Sequence, residues 1–217
     1  MFLFVLFNSI SKTYAVDCTP PKIEASCDLN TTASSLYVGS NLESLELNIN
    51  ANVKGSSSQS SLIQILSGLG TNTINIADGV TISTTGYRYN TGFSLFLFQY
   101  QQQASYSLTN RGTLYGSFYS SSLSGGTSGA ILVQKNSPVT LIDNFGSITH
   151  ETDWGIRNNG TIGTISNQST GILNGILNSD AEITKIHNIG TIGANSNKNF
   201  GAIYNKNGST IGTIRNE

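Results

Sequence analysis

The stretch Ile156-Arg157-Asn158-Asn159-Gly160-Thr161-Ile162 returns as Ile186-His187-Asn188-Ile189-Gly190-Thr191-Ile192, and in shortened form as Ile203-Tyr204-Asn205 and Ile214-Arg215-Asn216. Its aliphatic residues alternate with polar ones at period two, the pattern of a strand with one buried face. The Asn and Gly between them tolerate the left-handed conformation that a sharp corner asks for. The phrase therefore reads as strand, corner, strand, and its repetition as a solenoid.

The same phrase stands at Leu108-Thr109-Asn110-Arg111-Gly112-Thr113-Leu114 and at Ile142-Asp143-Asn144-Phe145-Gly146-Ser147-Ile148. After Ile156 the Asn positions 158, 167, 178, 188, 205 and 216 follow mostly at intervals of nine to eleven residues. Two such units make a rung of about 20 residues, which climbs about 4.8 Å. From residue 70 onward there is room for about seven rungs, a rod of roughly 35 Å. The Ile side chains point inward and stack from rung to rung. At the corners Asn110, Asn144, Asn158, Asn167, Asn188, Asn205 and Asn216 are expected to form a ladder that hydrogen-bonds backbone left open by the turn. The expected architecture is all-β: a right-handed parallel β-helix with an irregular N-terminal capping section.

Residues 1–15 read as a secretion signal. Phe2 to Phe7 is a dense apolar run, too short to span a membrane, and Thr13-Tyr14-Ala15 offers small residues at the two positions a signal peptidase reads. The basic leader that should precede the run is missing, so the signal is expected to be truncated at its start. Residues 16–69 read as a leading section that covers the open end of the solenoid. In it, Cys18 and Cys27 are the only cysteines, and a secreted context makes a disulfide between them the default. Residues 70–217 hold the repeats, incomplete at the C-terminus. Within them, Phe93 to Gln103 is apolar on both faces and is expected to be a strand buried on both sides.

Only 11% of residues are charged, against about 25% in an ordinary domain, and the formal charge is -1. Lys and Arg are scattered singly, so no footprint for nucleic acid or an anionic membrane is present. Apolar content of 37% at regular positions argues against disorder. Two cysteines with the distant His150 and His187 give no metal-ligand spacing, and no cofactor motif is found.

The one knot of ionisable residues is His150-Glu151-Thr152-Asp153-Trp154. On a strand, Glu151 and Asp153 would share a face about 7 Å apart. Two carboxylates so placed suit acid and base work on a sugar, with Trp154 to stack on it. The competing reading is a charged loop or outward strand edge, with Trp154 covering the neighbouring rung. No second carboxylate cluster joins the knot in sequence, and the second reading is preferred.

The phrases Ile156 to Ile165 and Ser209 to Asn216, together with the secretory start and the charge-poor Ser/Asn/Gly texture, resemble the passenger domains of bacterial autotransporters, of the Helicobacter- and Campylobacter-like kind. The resemblance covers about residues 70–217. It implies export through the periplasm, display at the cell surface or release outside it, and a C-terminal outer-membrane barrel on the same chain. It also implies adhesion, host interaction or self-association as the task, carried out by binding rather than catalysis. The alternatives are a β-helical carbohydrate-active enzyme using Glu151, Asp153 and Trp154, and a structural stalk. Asp28-Leu29-Asn30-Thr31-Thr32 also fits the acidic glycosylation pattern of Campylobacter-like bacteria.

Overall fold

The structure is a computed structural model that describes residues 16–17, 22–23, 26–38, 44–56, 61–65, 69–85, 94–98, 103–116, 129–194 and 201–217. Among these residues every regular element is a β-strand, and the strands pair in parallel into sheets of nine, eight and six. The chain visits the sheets in turn. Gly129–Val133 lies in the eight-stranded sheet, Pro138–Asn144 in the nine-stranded one and Ser147–His150 in the six-stranded one. Trp154–Asn158 then returns beside Gly129–Val133. This is a parallel β-helix.

Inside, like residues stack on like. In the nine-stranded sheet one inward column runs Cys27, Leu47, Ile74, Leu108, Ile142, Ile165, Ile186 and Ile214. In the eight-stranded sheet a matching column runs Leu36, Ile63, Phe96, Ile131, Ile156, Ile176 and Ile203. The six-stranded sheet supplies Val53, Ile82, Leu114, Ile148, Leu173 and Ile192. Burying such a side chain fully contributes about 1.5–3 kcal/mol, which holds the rungs together along the columns. Ile192 and Ile203 are partly buried, and Ile214, on the last rung, is exposed. Ser94–Phe98 is buried at all five positions, as the apolar run around it leads one to expect.

Two Asn corners fall in each later rung, but the rung itself has three strands, and its length departs from the expected 20 residues. Equivalent residues are separated by 20 (Asp28 to Asn48), 27 (Asn48 to Asn75), 34 (Asn110 to Asn144), 23 (Asn144 to Asn167), 21 (Asn167 to Asn188) and 28 (Asn188 to Asn216). The added chain falls largely between the six-stranded and eight-stranded sheets, as between Gly116 and Gly129. From residue 69 onward the nine-stranded sheet therefore holds six strands rather than seven.

The described residues of the leading section, 16–69, belong to the same rungs. Val16–Asp17, Cys27–Leu29 and Leu45–Ile49 join the nine-stranded sheet, and Lys22–Ile23, Leu36–Val38 and Ser61–Ile65 the eight-stranded one. Cys27 is buried and disulfide-bonded. Cys18 and residues 1–15 lie outside the described residues.

The corner glycines have a different purpose from the one their residue type suggests. Left-handed backbone is found at Gly70, Gly79, Gly175, Gly208, Asn136, Asp180 and Asn207, and at none of the recurrent-phrase glycines 112, 146, 160 and 190. Those glycines are required for space. A Cβ on Gly146 would lie 2.0 Å from the carbonyl oxygen of Gly112, one rung away. The phrase demands Gly because successive corners touch backbone to backbone.

Candidate functional site

The seven expected corner asparagines, joined by Asn178, form two ladders, at two corners of the helix. At the end of the nine-stranded sheet Asn110, Asn144, Asn167, Asn188 and Asn216 are linked Nδ2 to Oδ1 at 2.6–2.8 Å. At the end of the eight-stranded sheet Asn158, Asn178 and Asn205 are linked at 2.8 Å. Most of these amides also bind backbone at the corner: Asn144 Nδ2 donates to the carbonyls of Gly146 and Ile172 at 3.1 and 3.3 Å. The same columns are apolar nearer the N-terminus. Leu29, Ile49 and Ile76 precede Asn110 in one, and Val38, Ile65, Phe98 and Val133 precede Asn158 in the other.

The His150 to Trp154 segment is a corner rather than a strand: Glu151, Thr152 and Asp153 form the bend between Ser147–His150 and Trp154–Asn158. His150 is buried, and its Nδ1 accepts the backbone N–H groups of Thr152 and Asp153 at 3.2 and 2.9 Å. That contact fixes the neutral tautomer with its proton on Nε2. Glu151 is exposed while Asp153 is buried, so the two carboxylates do not share an open face. Asp153 Oδ1 accepts from the N–H of Trp154, and its charge lies near Arg157. Burial lowers the Arg157 pKa from its ordinary value, and Asp153 opposes that shift. Trp154 stacks on Tyr204, two strands further along the sheet, with ring centroids 6.1 Å apart and planes 8° from parallel.

A different outward site lies at the N-terminal end. Asp28, Asn48 and Asn75 sit one residue before the corner column and form a third ladder, on the outer face of the nine-stranded sheet. Asn48 Nδ2 donates to Asp28 Oδ1 at 2.8 Å, and Asn75 Nδ2 donates to Asn48 Oδ1 at 2.8 Å. A carboxylate only accepts, so Asp28 dictates the direction of both amides. The carbonyl oxygen of Asn75 is thereby turned away from Asn48.

Beside this ladder the corner itself carries one outward residue per rung: Asn50, Ala77, Arg111, Phe145, Gln168 and Ile189, each donating its backbone N–H to the rung before. Ala77 is the smallest of them, and it leaves a notch between Asn50 and Arg111. The resulting groove is about 560 Å³ and is walled by Asp28, Asn48, Asn75, Asp78, Thr109 and Arg111. The Arg111 guanidinium lies 4.3 Å above the Phe145 ring.

Sequence reasoning missed this groove. Its signal is the recurrence of Cys27-Asp28-Leu29-Asn30, Leu47-Asn48-Ile49-Asn50 and Ile74-Asn75-Ile76-Ala77, in which Ala replaces Asn once. Comparison with known proteins gives no matching family model, no matching curated protein and no matching solved structure.

Proposed function

We propose that this chain is a β-helical section of a secreted or surface-displayed protein of the autotransporter-passenger kind, and that it acts by contact with a host-cell surface. The observation that carries the reading is the outward row Asp28, Asn48, Asn75, Thr109, Asp143, Ser166, His187 and Arg215, one residue per rung, held in register on the nine-stranded sheet. Strand backbones there are engaged in parallel pairing, so a partner meets side chains only. Six of the eight, from Asp28 to Ser166, are short polar side chains, which on a stiff frame lose little entropy on binding.

The test is adhesion of epithelial cells to beads coated with the full chain. Saturable retention that free chain competes away is expected; retention no greater than on albumin-coated beads overturns the contact reading. The passenger assignment is checked separately in the gene. A barrel of alternating strands about 10 residues long in the same reading frame supports it. A coding region without one overturns it.

A further inference from the structure

We propose that the groove over Ala77 binds an oligosaccharide carrying a single acid group, with the acid at Arg111 and neutral sugar hydroxyls along Asn48 and Asn75. The proposal rests on the contact reading above and names the chemistry of one of its sites.

Three features of the groove point to this class. First, it crosses the strands, whose backbone groups are already paired, so a peptide cannot dock here by adding a strand. Recognition falls to amides, carboxylates and one guanidinium.

Second, each ladder amide spends one N–H on the rung before and keeps the other, while its carbonyl oxygen has two lone pairs. Asn48 and Asn75 thus each present a donor and an acceptor, repeated at the rung spacing of about 4.8 Å. A sugar hydroxyl is both donor and acceptor, and the rung spacing is close to the length of one pyranose unit in a chain. From the level of Asp28 to that of Thr109 the row spans three rung spacings. The groove volume of about 560 Å³ falls within the usual range of ligand sites, about 300–1,000 Å³.

Third, the Arg111 guanidinium carbon sits 4.3 Å over the Phe145 ring, which holds this cation at the edge of the groove as a partner for a carboxylate. Asp28 and Asp78 line the rest of the groove and disfavour a second acid group.

The test is calorimetric titration of the full chain with xylotriose bearing one glucuronate, with plain xylotriose and with free glucuronate. The acid trisaccharide is expected to bind saturably and at least tenfold more tightly than either control. Ala77→Phe fills the notch with the side chain that the same corner position already carries as Phe145. It should leave the unfolding midpoint unchanged and weaken binding at least tenfold. Arg111→Gln should bring the acid trisaccharide down to the affinity of xylotriose.

Three results overturn the proposal: no saturable binding, free glucuronate binding as tightly as the trisaccharide, or unchanged binding in Ala77→Phe. If cells still adhere to beads that bind none of the sugars, the groove assignment falls and the contact reading stands. Loss of adhesion by the unaltered chain overturns the contact reading itself.

Discussion

Asn144 donates through Nδ2 to Asn167 Oδ1 across 2.7 Å, and both amides are buried at a corner where they also satisfy backbone carbonyls. Asn144→Leu removes those donors and leaves buried acceptors unmatched, at about 1–3 kcal/mol for each group. A destabilisation of about 2–5 kcal/mol is expected, read as a lower urea midpoint by circular dichroism. Asn110→Leu should cost less, because its column already holds Ile76 on the preceding rung. Equal midpoints for Asn144→Leu and the unaltered chain would show that the ladder contributes nothing.

Steric need at the corners can be separated from backbone strain by three glycine substitutions. Gly146→Ala forces a Cβ to 2.0 Å from the carbonyl oxygen of Gly112 and should cost more than about 3 kcal/mol or prevent folding. Gly79→Ala has open space but a φ of +75°, so it should cost about 1–2 kcal/mol. Gly193→Ala has neither problem and should be close to neutral. Thermal unfolding of the three variants gives the ranking, and a neutral Gly146→Ala would refute the close-approach account.

The solenoid was legible because the aliphatic residues that stack, from Leu108 to Ile214, follow period two and recur with their Asn neighbours. The split of those asparagines between two corners was not legible. Asn158 and Asn167 sit in similar local sequence, and only the pairing of Asn158 with Asn178 and of Asn167 with Asn188 separates the ladders. The purpose of Gly146 was hidden for a similar reason, since a need for space against Gly112 depends on a residue 34 positions away. At the His150 to Trp154 knot the preferred reading, a loop with Trp154 packed over another rung, agrees with the bend and the Trp154–Tyr204 stack. The burial of His150 and Asp153 was not legible there, because ionisable residues in sequence carry no mark of burial. The groove was missed because its decisive feature is a small residue, Ala77, where other rungs are bulky.

Trp154 serves as a reporter of the outer packing of the eight-stranded sheet. A Cβ on Gly175 would lie 2.9 Å from Trp154 Cε3, and Gly175 itself has a φ of +72°. Gly175→Ala should therefore push the indole off Tyr204, with a red-shifted and less quenched emission. Tyr204→Ala should expose the ring in the same direction without backbone strain, and so with a smaller loss of stability. Since Trp154 is the sole tryptophan, fluorescence reads this contact alone. An unchanged emission maximum in both variants would contradict the stacked arrangement.

Tyr106 is fully buried beside Phe98, with ring centroids 5.3 Å apart, and burial pushes its phenol pKa from 10.0 up to about 12. The unfolded chain gives up this proton near pH 10, whereas the folded chain holds it until about pH 12. The contribution is therefore fully present below pH 10 and is lost as pH rises from 10 to 12. Two units correspond to about 2–3 kcal/mol. Urea midpoints should fall across that window more steeply in the unaltered chain than in Tyr106→Phe, which has no proton to lose. Ultraviolet titration of the nine tyrosines should show one, Tyr106, that ionises only near pH 12. Parallel midpoint curves for the two proteins would place the Tyr106 hydroxyl in contact with water and overturn the assignment.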